Sequence, residues 1–118
     1  MNIKELEQFL DTFMCAESSF PFGPEALVFK IKGKMFAVLA ERHGREYVSL
    51  KVAPEDGEVL TSQFTDITPG YHLNKRHWIT VYFNGDVEDG FVQDLCERSY
   101  DLVVAKLTKA QRISLGYQ

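Results

Sequence analysis

Two short turns between three apolar runs constrain this chain more than any other feature. Leu27, Phe29 and Ile31 alternate with other residues, which predicts a strand from about Glu25 to Ile31. Lys32-Gly33 follows as a turn, with Gly33 free to take positive φ. Lys34 to Ala40 is apolar on both parities and fits a central strand. Arg42-His43-Gly44-Arg45 forms the next turn, and Tyr47 to Val52 alternates again. Strands joined by so few residues pair antiparallel, so these three form a meander.

Helical spacing flanks the meander. Ile3, Leu6, Leu10, Phe13 and Met14 predict a first helix ending near Met14 to Ala16, with Asn2 and Glu5 as a capping box. Ser18 to Pro24 is rich in breakers and predicts a loop. Pro54 suits a first helical position, with Glu55 and Asp56 beside the positive end of the helix dipole, and that helix runs to about Phe64. Thr68-Pro69-Gly70 predicts a turn, Tyr71 to Leu73 a short strand, and Trp78 to Phe83 a strong one. Asp86 is positioned to cap a long helix carrying Phe91, Val92, Leu95, Leu102, Val103 and Leu107. Thr108 with Gln111 forms a capping box for a last helix ending at Gly116. The expected fold is α+β: two layers, a five-stranded antiparallel sheet with helices on one face, in the order α-βββ-α-ββ-αα. A chain of 118 residues makes one domain, spanning residues 1–118.

Composition narrows the function classes. Hydrophobic content of 45% and charged content of 25% are ordinary for a soluble globular protein. No apolar run approaches the roughly 20 residues of a membrane span. Met1-Asn2-Ile3-Lys4-Glu5 leads straight into an amphipathic pattern, so no signal peptide is expected and the protein reads as cytoplasmic, without membrane association. Cys15 and Cys96 both fall in helical patterns and read as small apolar packing residues, not a disulfide. A net charge of −4 argues against generic polyanion binding, yet the acids concentrate in helices and the cations in strands and turns, which permits a local basic surface.

If the helices cover one sheet face, strand parity defines the other. With Leu27, Phe29, Ile31, Val48, Leu50, Val52, Ile79, Val81 and Phe83 turned inward, Lys30, Tyr47, Ser49, Lys51, Trp78, Thr80 and Tyr82 turn outward. Aromatics mixed with lysines and hydroxyls suit stacking on bases and contact with phosphates. They also suit protein interfaces. The competing reading is that the aromatic pairs simply stabilise the sheet and the lysines deter edge pairing.

The segment Tyr71-His72-Leu73-Asn74-Lys75-Arg76-His77-Trp78 concentrates the chemistry. Lys75 and Arg76 can meet phosphates, Asn74 can bond a base edge or brace the turn, and Trp78 can stack. In the competing reading Asn74 and His77 satisfy backbone groups and Trp78 fills a gap. His72 and His77 lack a third ligand at metal spacing, although His43 or Cys96 could approach in the fold; no metal and no cofactor are expected. Ser49 and Ser99 sit in nothing resembling a nucleophile elbow, and Ser99 is expected to bond the preceding helical turn. Phosphate-cradling glycine loops are absent. No enzymatic activity is expected.

The run Pro69-Gly70-Tyr71-His72-Leu73-Asn74-Lys75-Arg76-His77-Trp78-Ile79-Thr80-Val81 resembles the MmcQ/YjbR family. So do Pro21-Phe22-Gly23, Gly33-Lys34-Met35-Phe36-Ala37, Ser49-Leu50-Lys51 with Pro54-Glu55, and Ser99-Tyr100, so that the resemblance covers nearly the whole chain. It implies a compact α+β fold similar to type III secretion chaperones. It also implies a DNA-binding role with two β-hairpin wings. That role is an analogy of shape. The residues expected to carry binding are Lys51, His72, Asn74, Lys75, Arg76, His77, Trp78 and Tyr82. The partner expected is DNA, and the alternative is a peptide or partner subunit met through exposed aromatics. A monomer or weak homodimer is expected.

Overall fold

The computed structural model describes residues 1–116. Its elements run α1 (Ile3–Leu10), β1 (Glu17–Ser19), β2 (Leu27–Ile31), β3 (Lys34–Arg42), β4 (Arg45–Lys51), α2 (Pro54–Gln63), β5 (Ile67–Pro69), β6 (Trp78–Tyr82), α3 (Asp89–Ala105) and α4 (Lys109–Ser114). The strands form one antiparallel sheet in the order β1-β2-β3-β4-β6-β5. The α+β architecture and the meander are as the turns predict. The inward set from all four main strands joins Leu6, Leu10, Leu60, Val92, Leu95, Val103, Leu107 and Leu115 in one core, so the helices share one side of the sheet. No helix among the described residues is long and apolar enough to cross a membrane.

Several expectations are corrected. The sheet has six strands, not five, because Glu17–Ser19, overlapping the start of the loop expected from Ser18, pairs with β2. Its three residues are all exposed, so it carries no periodic signal. The short strand lies at Ile67–Pro69 rather than at Tyr71 to Leu73. Proline is tolerated there because β5 is an edge strand, where a missing N–H breaks no ladder bond. The first helix stops at Leu10. Phe13 follows in a turn and still reaches the core, stacked 5.9 Å from Phe36 and edge-on to Tyr100. Core packing there mimics helical spacing. Cys15 sits in that turn at φ 59 and is exposed, so it is no packing residue; Cys96 is buried as expected. Asp86 does not cap α3, whose N-cap is Glu88; its carboxylate instead accepts the N–H groups of Thr65 at 2.7 Å and Asp66 at 3.0 Å.

Candidate functional site

The second sheet face is not open. Val28, Val38, Ala40, Tyr47, Ser49, Trp78 and Thr80 are all buried, although none of them belongs to the main core. Loops cover them. The Tyr71 N–H donates to Thr80 Oγ1 at 2.9 Å, and Thr80 Oγ1 shares a 2.8 Å hydrogen bond with Ser49 Oγ across the strands. The Tyr71 ring stands edge-on to Tyr47 at 6.1 Å. Gly70 lets this loop close: a Cβ there would lie 2.7 Å from the Cβ of Trp78. Trp78 is consequently only 8% exposed, and its predicted stacking role has no surface.

The loop itself is braced by residues the sequence marked as binders. Asn74 Oδ1 accepts the N–H groups of Arg76 at 2.9 Å and His77 at 3.1 Å, an Asx turn. Lys75 Nζ donates to the Gly70 carbonyl at 2.8 Å. The His77 carbonyl accepts the Val52 N–H at 2.9 Å, extending the β4–β6 ladder, while its side chain is exposed. His72 takes φ 60 and packs its ring 4.0 Å from Tyr71. Arg76 is exposed and forms no ion pair among the described residues.

Register places the cations at two ends. Lys51 pairs with Trp78, and Tyr47 with Tyr82, so Tyr82 lies four residues along the sheet from Lys51, about 13 Å away at roughly 3.3 Å per residue. The Lys51 end also holds the β2–β3 turn with Lys32, the start of β3 with Lys34, and Arg76 just before β6. Lys51 is half-buried. Burial, then the charges of Lys106 and Lys34, push its ammonium below the ordinary lysine range. At the other end the cations are engaged. Arg45 donates to Asp66 at 2.7 Å and to the Phe83 carbonyl at 3.1 Å. Arg42 donates to Tyr82 Oη at 3.3 Å and lies 4.1 Å over the Tyr71 ring.

The match to known proteins is decisive at the family level. The YjbR family model matches residues 12–102. The chain belongs to the YjbR family. It is 38% identical to YjbR of Escherichia coli K12 over 112 residues, 95% of each chain. It is 41% identical to YbdF of Escherichia coli O157:H7 over 93 residues, 79% of this chain and 76% of that one. The crystal structure of Deinococcus radiodurans DR2400 superposes with a TM-score of 0.90 at 39% identity, covering 99% of this chain and 89% of that one.

In this YjbR-family chain the structure thus brings Lys51, Arg76 and His77 to one end, beside the sealed Trp78. It commits Asn74 and Lys75 to loop bracing, and it sends His72 and Tyr82 elsewhere. Sequence reading missed Lys34 and Lys106 as neighbours of Lys51. The alternation Lys30, Lys32, Lys34 was a visible signal; Lys106 approaches only through the packing of α3 on the sheet. Burial pushes the Cys96 thiol far above its ordinary value, so it is no thiolate nucleophile. No cluster of metal-ligating side chains occurs among the described residues.

Proposed function

We propose that this YjbR-family protein binds DNA through the lysine-bearing end of the sheet, by phosphate contact and without chemistry. One observation carries the reading: Lys32, Lys34, Lys51, Arg76 and Lys106 lie at one end, and none of them forms an ion pair among the described residues. Unpaired cations lose nothing internal when they meet phosphate, and the counterions that phosphates release drive the association. The Lys32-Gly33 turn is the tip of the β2–β3 hairpin and projects one of these cations. Stacking by Trp78 has no place in this form of the proposal.

The test is fluorescence anisotropy with a labelled duplex across salt concentrations. Contact with about four phosphates predicts a log–log slope near −3.6, or about a 10²-fold loss of affinity between roughly 50 and 200 mM salt. Lys32→Glu and Arg76→Glu each weaken binding and flatten the slope. Absence of binding at low salt, or binding indifferent to both substitutions, ends the proposal.

A second reading is favoured by Met14 and Phe20, 52% and 55% exposed on either side of the edge strand β1. A free edge flanked by apolar side chains suits a partner segment that adds a strand. Light scattering on the wild type and Phe20→Ser tests the self-association form. A concentration-dependent mass in the wild type alone supports it, and a constant single-chain mass removes it.

A further inference from the structure

One buried phenol is left without a partner. Tyr47 is only 6% exposed, and its hydroxyl makes no hydrogen bond to any described residue. Every sealed side-chain nitrogen or oxygen among the described residues has a partner, so Tyr47 Oη must reach open space. The space that Tyr47 lines is a depression of about 490 Å³ in the covered face of the sheet, between the loop after β1 and the loop at Tyr71 to Leu73. Its depth comes from a small side chain: Ala40 stands directly across the β3–β4 ladder from Tyr47, so the floor drops away beside a large ring. Val38 extends the floor, and Phe22 and Leu73 stand at the sides. The volume lies inside the range of roughly 300–1,000 Å³ typical of small-ligand sites, which are mostly apolar with a few placed polar groups.

The phenol is placed and neutral. Tyr71 stands edge-on to its ring at 6.1 Å and Tyr82 packs against it at 5.7 Å, which fixes its direction. Burial, then Tyr71 and Tyr82, raise the phenol above the ordinary tyrosine range, so it meets an occupant as an O–H. A hydroxyl withdrawn from water and left without an acceptor is costly, and an occupant that brings an acceptor removes that cost.

Charge does not select the occupant. No lysine or arginine lines the depression. Glu41 borders it but shares the parity of Leu39, a core residue, and so turns to the helix side. Glu25 and His72 remain, both exposed. A single carboxylate in water adds little to the binding of a cation. An anion meets that carboxylate, and the nearby guanidinium of Arg42 is already held by Tyr82 Oη and the Tyr71 ring. The walls favour a flat apolar body instead: Phe22 is 71% exposed, so most of its ring is free for contact.

We infer that the depression is a binding site for a small neutral aromatic molecule carrying a carbonyl acceptor, a ketone, aldehyde or amide, with Tyr47 Oη donating to the carbonyl oxygen. The ring lies on Val38 and Ala40 against Phe22 and Leu73. This site is separate from the DNA reading, which uses cations at the other end of the sheet.

Four probes of one shape test it: acetophenone, its isostere α-methylstyrene, which lacks the acceptor, benzamidinium and benzoate, each titrated into ¹⁵N-labelled protein. Acetophenone is expected to shift the amides of Val38, Ala40, Tyr47 and Leu73 and to bind about tenfold tighter than α-methylstyrene, the increment of one hydrogen bond to a shielded donor. Both charged probes bind more weakly than acetophenone. Tyr47→Phe brings acetophenone down to α-methylstyrene and leaves α-methylstyrene unchanged. The lost hydroxyl bonds to no described residue, so this variant keeps its fold, and amide shifts unchanged away from residue 47 check that. The comparison of probes on the wild type stands without the variant. Equal binding of acetophenone and α-methylstyrene, tighter binding of either charged probe, shifts confined to other amides, no shift with any probe, or acetophenone binding unaltered by Tyr47→Phe overturns the inference. Lys32→Glu leaves acetophenone binding intact, so the two proposals fail separately.

Discussion

Ser99 Oγ lies 2.9 Å from the backbone nitrogen of Lys51 and donates to the Phe36 carbonyl at 2.6 Å. One buried hydroxyl therefore joins α3 to both β3 and β4, at the residue where β3 bulges in its pairing with β2. Ser99→Ala leaves a donor and an acceptor without this partner. A loss of about 2–3 kcal/mol in urea unfolding is expected, since each buried unsatisfied group costs roughly 1–3 kcal/mol.

Lys32 and His43 occupy matching places in two hairpins. Lys32 takes φ 50 before Gly33 at 78, and His43 takes φ 51 before Gly44 at 79. Turns of this geometry favour asparagine or glycine at the first position. Lys32→Asn and His43→Asn should each raise stability by about 0.5–1 kcal/mol, the strain relieved at a left-handed residue. Only Lys32→Asn should also weaken DNA binding in anisotropy, because His43 lies at the far end of the sheet. Equal effects of both substitutions on DNA affinity count against the lysine end as the contact.

Trp78 reports on the covering loop. Its emission should be blue-shifted in the native protein and unquenched by saturating DNA, because the indole is sealed. Quenching by DNA means that the loop lifts on binding. Gly70→Ala drives a methyl against the Trp78 backbone and Cβ, and should cost about 1–3 kcal/mol by overpacking. A red shift in emission should accompany it.

Asp66 sets an acid limit. The hydrogen bond from Arg45 holds its carboxyl below the ordinary aspartate range. A depressed folded pKa contributes stability above the unfolded value of about 3.9 and loses it as pH falls through the folded value. Urea midpoints should therefore drop below about pH 4, with part of the drop absent in Asp66→Asn. Arg45 is 44% exposed, so salt should shrink that part. A pH profile unchanged by Asp66→Asn removes this role.

Much of the fold was legible because its signals are local. Period-two alternation marked Leu27, Phe29 and Ile31, Val48, Leu50 and Val52, and Ile79 and Val81, and all of them reached the core. The Thr108–Gln111 capping box and the Asn74 brace depend on residues three apart or fewer, and both are present. Alternation also told correctly that Trp78 and Tyr47 turn away from the helices. It could not say what covers them, because that depends on a loop folding back through the Tyr71–Thr80 bond and on side chains such as Phe22 and Leu73. Ser99 was misassigned for the same reason: its partners lie 48 and 63 residues away. The convergence of Lys34, Lys51 and Lys106 required the sheet and α3 to be assembled first.

The strand order places β6 between β4 and β5, although the chain visits β5 first. The meander joins strands that are neighbours in sequence, whereas β6 meets β4 only across α2 and β5, so the β4–β6 ladder carries the sheet's long-range pairing. With β6 seated, the backbone groups along that side of β4 are spent inside the molecule and offer no template to a neighbouring chain.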